Sequence, residues 1–453
     1  MKVVKPLDSG AKEQRHGPDA ARILAGWVAL GLSRAECLMI EESNFQELVA
    51  HADSVHSWSE LAAPGIDAIM VLSPDVAPLF PQSASTLFHS VPWQDLWVTV
   101  LLPWQEPPTR CIRADGVADS FCCSAEVFRN LLNIGGGESS DRLCFELLDA
   151  ILNGQLAVQR LVVRQLPVRD VEAAGPSLPQ NAALIMAHRG PKQFLTSALR
   201  FVTSAASNSQ VKVRVGLDVD DVGEYRSLSE VFPAVEFYGV DKAPVGPYVI
   251  RQRLIDLSTE HFIVFHDSDD ISCHDRFARQ TVELTDTHVE AAGSHELRVD
   301  ELTGTVEVYR FPLDATAALA LPGSTEQNDR ANEPLLHPTL TMLRSGFLAA
   351  GGFSTNRKIA NDTQFMLRAY FSLRMRNVDS FLYIRRRHSS ALTVEKRTAL
   401  GSSLRHFLGS TWGADFEAVK NGKARLEETS LWARLEPVPH QLKRLWAAER
   451  LEE

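Results

Sequence analysis

The chain has 453 residues, 45% of them hydrophobic and 23% charged, an ordinary globular composition that excludes collagen-like and disordered classes. A chain of this length allows roughly two to three domains. Its net charge of −11 supplies no global positive field, so neither nucleic acid nor an anionic membrane is an expected partner.

The N-terminus, MKVVKPLDSGAKEQRHG, has no apolar leader core and no small-residue cleavage site. No window approaches the roughly 18 uninterrupted apolar residues of a membrane-spanning helix, so a cytoplasmic protein without a transmembrane segment is expected. Cysteines stand at 37, 111, 122, 123, 144 and 273, none spaced C-x-x-C. They read as reduced, mostly buried thiols.

In the N-terminal part, ECLMIEESN (36–44) is an apolar run with an acidic end. GIDAIMVLSPDVAPL (65–79) is a strand running into Ser73-Pro74-Asp75, and 121–154 joins an apolar stretch, a Gly-rich turn and a helix headed by Asp141. The Pro- and Gly-bearing segment 162–180 reads as a connection, with the linker proper at 171–180.

The clearest pattern follows. AALIMAH (182–188) is a buried strand ending at His188-Arg189-Gly190-Pro191, and 193–206 has helical spacing. VKVRVGLD (211–218) is a second strand ending in Asp218, Asp220 and Asp221. A helix over 248–258 leads to a third strand, HFIVFHD (261–267). This alternation predicts a parallel α/β sheet, whose ligands bind beyond the carboxyl ends of the strands. Downstream lie LLHPTLTMLRSGFLAAGGF (335–353), a helix opening at Asn361-Asp362, and a strand, VDSFLYIRRRH (378–388). The tail, 397–453, reads as helices.

The chemistry concentrates in HDSDDIS (266–272), three carboxylates within four residues after an apolar strand. Such packed like charges need a cation or hydrogen bonds to offset their repulsion, and a hard divalent ion that also binds phosphate oxygens suits them. A helix-capping acidic turn would carry the same residues.

Taken in order, ALIMAHRG, VRVGLDVDD, VIRQRLIDLSTEHFIVFHDSDDIS, HPTLTMLRSGFLAAGGF, NDTQFMLRA and LYIRRRHSSALT resemble the motifs of the GT-A glycosyltransferases of family 2, across residues 182–394. The resemblance implies a Rossmann-like GT-A catalytic domain at 181–396 and an inverting, metal-dependent transfer of a sugar from a nucleotide-diphosphate donor. UDP is the family's commonest nucleotide. The acceptor would be a carbohydrate, lipid-linked or protein hydroxyl, chosen by loops such as 310–334. It further implies that Asp218 binds the donor's base and that Arg251 lies near the base or diphosphate. Asp267 would meet ribose or metal, Asp269 would ligate Mn²⁺ or Mg²⁺, and Asp362 would be the general base. His188 and Arg189 fall in the donor site, and His388 is a further candidate metal ligand. Asn361 stands where the family usually has Glu, and His266 where it usually has an apolar residue. His337 is as readily structural as acceptor-binding, and at most one or two of Arg385, Arg386 and Arg387 can face a diphosphate.

The N-terminal segments echo the same order, with Asp75 replacing the acidic pair and Asp141 standing where Asp362 stands. Residues 1–170 therefore read as a degenerate GT-A-like α/β domain serving as scaffold, acceptor-binding surface or homodimer contact. Two other function classes compete: a non-catalytic nucleotide- or sugar-binding module, and a nucleotidyltransferase. The latter would open with a Gly-rich basic loop, which HRGP matches poorly.

Overall fold

The structure is a computed structural model that describes residues 2–4, 28–32, 53–54, 68–72, 96–101, 108–113, 117–134, 142–158, 160–166, 181–206, 211–321, 334–395, 397–399, 401–435 and 441–446. The segment 36–44, Cys37, Asp75, Asp141 and the linker 171–180 lie outside those residues. The first part of the connection that the sequence places at 162–180 is a strand. Leu161–Leu166 pairs in parallel with a neighbouring strand, Leu96–Leu101, instead of bridging two units.

The N-terminal elements are β1 (Lys2–Val4), β2 (Val28–Leu32), β3 (Asp53–Ser54), β4 (Ala68–Leu72), β5 (Leu96–Leu101), β6 (Ile112–Arg113), β7 (Val117–Ser124), helices α1 (Ala125–Asn133) and α2 (Leu143–Leu152), and β8 (Leu161–Leu166). All but β6 form a seven-stranded sheet in the order β3-β1-β2-β4-β7-β5-β8. Ser124 caps α1 by accepting the Val127 N–H at 3.2 Å.

The second unit runs β9 (Ala182–His188), α3 (Lys192–Ala206), β10 (Val211–Leu217), α4 (Arg226–Val231), β11 (Val235–Val240), α5 (Pro247–Asp256), β12 (Phe262–Asp267), β13 (Ile271–Ser272) and α6 (Arg276–Asp286). It continues through β14 (Ala291–Asp300), β15 (Thr305–Arg310), α7 (Ala315–Leu319), β16 (Thr341–Leu343), α8 (Arg344–Ala349), α9 (Asn361–Ala369), β17 (Met375–Arg387), α10 (Ser403–Lys420) and β18 (Leu442–Leu445). Strands β11, β10, β9 and β12 are parallel neighbours, and β16, antiparallel to β12, leads on to β14 and β17. Buried on both faces, the parallel strands read as continuous apolar runs, as AALIMAH does. Helix α5 lies so close to β10 that a Cβ on Gly216 would collide with the Ile250 γ2 methyl.

The order β4-β7-β5-β8 repeats that of β12-β16-β14-β17, and so do the strand senses: antiparallel, antiparallel, parallel. Helices α1 and α2 fall in the chain where α8 and α9 fall. The first half is unlike, because β2 runs antiparallel to β4 whereas β9 runs parallel to β12. The units share one core: Phe121, Phe128, Leu147 and Ile151 cluster with Ile271, Leu297, Phe381 and Ile384. β6 also pairs with β15.

The tail differs from the helices expected for 397–453. Among its described residues are one long helix, α10, a short 3-10 turn (Leu426–Glu428) and an edge strand, β18, antiparallel to β11. Four residues, Leu-Lys-Arg-Leu, carry no helical period, and the open edge of β11 supplies their partners. Among the described residues no helix is long and apolar enough to cross a membrane. Cys111, Cys122, Cys123, Cys144 and Cys273 are buried.

Candidate active site

The chain leaves β9 for β10 on one side and later returns as β12 on the other. That reversal opens a crevice at the carboxyl ends of the strands, the usual ligand position in such sheets. A cleft of about 1040 Å³ lies there, and residues on both sides of position 396 line it, from Ala187 to Arg405. His188 ends β9, Asp218 follows β10 and Asp267 ends β12. The sheet thereby brings together His188, Arg189, Asp218, Arg251, Asp267, Asp269, Asp362 and His388 on the walls of this one cleft.

The acidic loop lines this cleft. One carboxylate oxygen each from Asp267, Asp269 and Asp270 lie within 4.8 Å of one another. Asp267 is ion-paired with Arg251 of α5. Asp269 Oδ2 lies 3.0 Å from His388 Nε2, and Asp270 Oδ1 accepts the Arg386 N–H at 2.8 Å. Burial, then the charges of Asp269 and Asp267, push the Asp270 carboxyl well above the usual range. Burial also raises Asp267, against the opposing charge of Arg251. Burial works against Asp269 as well, but the hydrogen bond and charge of His388 outweigh it and hold this carboxyl below its ordinary value. Three oxygen donors this close, two of them destabilised as anions, fit a hard divalent cation such as Mn²⁺ or Mg²⁺.

His388 donates or accepts at both ring nitrogens, to Asp269 and, at 2.8 Å, to Ser390 Oγ. The three-donor cluster itself is made of aspartates. His188 is buried, with Nδ1 2.8 Å from Ser268 Oγ and Nε2 3.1 Å from the Gly190 carbonyl. Burial lowers its pKa to about 4, so it is neutral at pH 7. Arg189 is exposed at the rim. Asp218 is buried, and its two oxygens accept the Val245 and Gly246 N–H groups at 2.8 Å each. It thus ties down the loop that enters α5. Gly246, at φ 100°, turns that loop into Pro247 at the helix start, and Lys358 lies 3.1 Å from where its Cβ would stand.

Asp362 stands in the first turn of α9, after Ala360 in the left-handed region at φ 59°. Burial works to raise its carboxyl. His337, the Tyr248 hydroxyl, Arg405 and the Thr363 N–H together bring it below the ordinary range. Asp362 is therefore ionised at neutral pH and partly buried beside the cleft. Burial drives His337 down to about 3, and its Nε2 has no partner. His266 is buried at the core side of β12, its pKa also lowered to about 3, burial being the largest cause.

Of the three arginines at the end of β17, Arg385 and Arg386 line the cleft, while Arg387 pairs with Asp300. The sequence reading passed over Tyr248, Lys358, Arg397 and Arg405, all of which line the cleft. Tyr248 had a signal, since it lies three residues before Arg251 on one face of α5. Arg397 and Arg405 were hidden by the reading of the tail as a separate helical extension.

No family model matches this chain. No curated protein matches it either. Among solved structures it is similar to S. aureus TarS 1-349 in complex with UDP-GlcNAc, at 16% identity over 54% of this chain and 74% of that one, with a TM-score of 0.38. It is also similar to S. aureus TarS, at 14% identity over 55% of this chain and 44% of that one, TM-score 0.38. A third is the mannosyltransferase PcManGT from Pyrobaculum calidifontis in complex with GDP-Man and Mn²⁺, at 15% identity over 59% of this chain and 71% of that one, TM-score 0.39.

Proposed function

We propose that the chain is an inverting, metal-dependent glycosyltransferase that takes a sugar from a nucleotide-diphosphate donor, UDP-linked by preference, and gives it to a hydroxyl acceptor. The observation that carries this is that a three-carboxylate loop and an ionised aspartate line the same cleft. A divalent cation held by Asp267, Asp269 and Asp270 would offset the charge that gathers on a departing diphosphate.

The chain's own residues do the rest. Arg385 and Arg189 line the cleft as cations for the donor's phosphates. Asp218 shapes the donor wall by fixing the loop before α5. Asp362 takes the proton of the acceptor hydroxyl while that oxygen bonds to the anomeric carbon and the bond to the diphosphate oxygen breaks. Tyr248, hydrogen-bonded to Asp362, orients its carboxylate. One displacement with one base inverts the anomeric centre. The domain assignment goes with this reading: 181–396 as the GT-A domain, its cleft closed by the tail, and 1–170 as a degenerate copy. The shared strand order and senses of the two second halves support that copy.

Two variants test the site. Asp269→Ala leaves a cation under-ligated, so calorimetry with Mn²⁺ and UDP should show binding lost or greatly weakened. Asp362→Asn keeps shape and helix start but removes the proton acceptor. Turnover should fall about 10²–10⁴-fold with donor binding unchanged. Mn²⁺-independent UDP binding, or wild-type turnover in Asp362→Asn, rejects the corresponding assignment. Donor binding with no transfer to any hydroxyl acceptor would favour a non-catalytic nucleotide-sugar-binding module.

A further inference from the structure

The geometry points to the N-terminal unit as the part that holds the acidic loop in shape, acting through Asn153 at the end of α2. Asn153 follows the last turn of α2, and its Oδ1 accepts from Arg386 Nη2 at 2.6 Å, across 233 residues of sequence. The Leu152 carbonyl accepts from Arg386 Nη1 at 3.4 Å. The Arg386 Nε pairs with Glu301, and the guanidinium lies 3.7 Å from the centroid of Phe194 on α3. Three elements therefore fix one side chain: α2 of the N-terminal unit, α3, and the turn after β14.

What Arg386 does at its other end gives this clamp a role. Its backbone N–H is the hydrogen-bond donor to Asp270 Oδ1 at 2.8 Å. Phe194, under the guanidinium, also packs edge-on against His388 with centroids 5.2 Å apart. His388 in turn meets Asp269 at 3.0 Å. Two of the three loop carboxylates thus depend on Arg386 and on His388 just past the end of β17, and those residues depend on Asn153 and Phe194. A second tie from the same unit reaches the loop's far side, where the His274 N–H donates to the Leu161 carbonyl of β8 at 2.8 Å. Ile271 and Cys273, between these ties, are buried in the core shared with α1 and α2.

A pair of close carboxylates tends to spread unless something holds them, and outer contacts that orient metal-binding residues are commonly worth about 10–100-fold in metal affinity. Asn153 is a positioning residue for the acidic loop, one contact further out. Its loss should weaken divalent-ion binding by about threefold to tenfold, without removing any residue that faces the cleft. This rests on the metal-binding reading above, so the test has one readout that needs no metal.

The full chain is compared with Asn153→Ala, Asn153→Asp and Phe194→Leu by hydrogen–deuterium exchange over 267–273 and 384–390, and by titration with Mn²⁺ alone. Asn153→Ala should speed exchange in both segments and weaken Mn²⁺ binding. Asn153→Asp, which keeps the oxygen that Arg386 donates to, should recover both. Phe194→Leu enters from the opposite side of the guanidinium and should behave like Asn153→Ala, so it carries the test if that variant does not fold. Unchanged exchange and unchanged Mn²⁺ affinity in both loss variants, with Asp269→Ala still losing the ion, overturn the brace and leave the metal site standing. Faster exchange with unchanged Mn²⁺ affinity overturns its link to the site. Absence of Asp269-dependent Mn²⁺ binding in the wild type overturns the link to a metal, and exchange in Asn153→Ala and Phe194→Leu then separates that failure from failure of the brace, which unchanged exchange would overturn.

Discussion

Asn361 illustrates how one side chain can serve the backbone and the site together. It is buried, and its Nδ2 donates to the Ser354 carbonyl at 2.7 Å and the Arg357 carbonyl at 2.9 Å. Those bonds pin the loop before α9 and so set where Asp362 emerges. An acid at this position has no proton to donate and would face two carbonyl oxygens. The Glu usual in the resembled family would therefore be a poor guest here. Asn361→Glu should cost about 2–4 kcal/mol, the scale of burying an unmatched polar or charged group. Chemical denaturation would read that loss, and turnover should not rise above wild type. A variant as stable as the parent would mean that the loop finds other donors. Asp362, next along, keeps its carboxyl below the ordinary range, so activity should stay flat as pH falls through the usual carboxylate range, near about 4, and be lost only below it. A proton acceptor at the head of a helix was legible from the letters. The Tyr248 hydroxyl that orients it sits on another helix, 114 positions earlier by residue number, and no local pattern reports such a pairing.

Between β10, β11 and the turn before β12 lies a charge network, buried at Arg214 and Glu260, that bridges the parallel strands. Glu260 accepts from Arg214 at 2.7 and 3.0 Å and pairs with Lys212 at 2.9 Å, while Arg214 also meets Glu236 at 2.8 Å. Burial opposes the charge of Glu260, yet Arg214 and Lys212 hold its carboxyl down to about 2. A folded pKa below the unfolded value of about 4.3 means stability that is present above about pH 4.3 and lost as pH falls toward 2. Glu260→Gln should therefore cost about 3 kcal/mol at neutral pH, and the gap from wild type should narrow by about half by pH 3. Urea unfolding at the two pH values measures it, and a gap that widens in acid would reverse the assignment. The strands themselves were legible because buried parallel strands are apolar throughout and end in polar turns. The antiparallel pairing of β2 with β4 and the strand β18 were not. Pairing sense depends on where the connections run, and a four-residue edge strand takes its form from the open edge it joins.

At the scale of the molecule, the two units differ from a bead-and-linker arrangement. Phe128 and Leu147 of the N-terminal unit pack in one cluster with Leu297 and Ile384 of the other, and β6 pairs with β15. A fragment beginning at residue 181 would expose that apolar surface and lose the strand partner. It should express as aggregate or as a species that melts well below the full chain, read by size-exclusion chromatography and thermal unfolding. A monomeric fragment as stable as the whole would mean that the shared core adds little. The repeated order β4-β7-β5-β8 bears on how such a protein can change over time. If one ancestral unit was copied, the N-terminal copy could shed its acidic pair once the other retained the chemistry. It could not be deleted, because its partner's interior had come to be finished by its helices. Selection on that copy would then act through packing and through contacts such as Asn153, so its surviving residues should record constraint from a neighbour's active site and none from a substrate of its own.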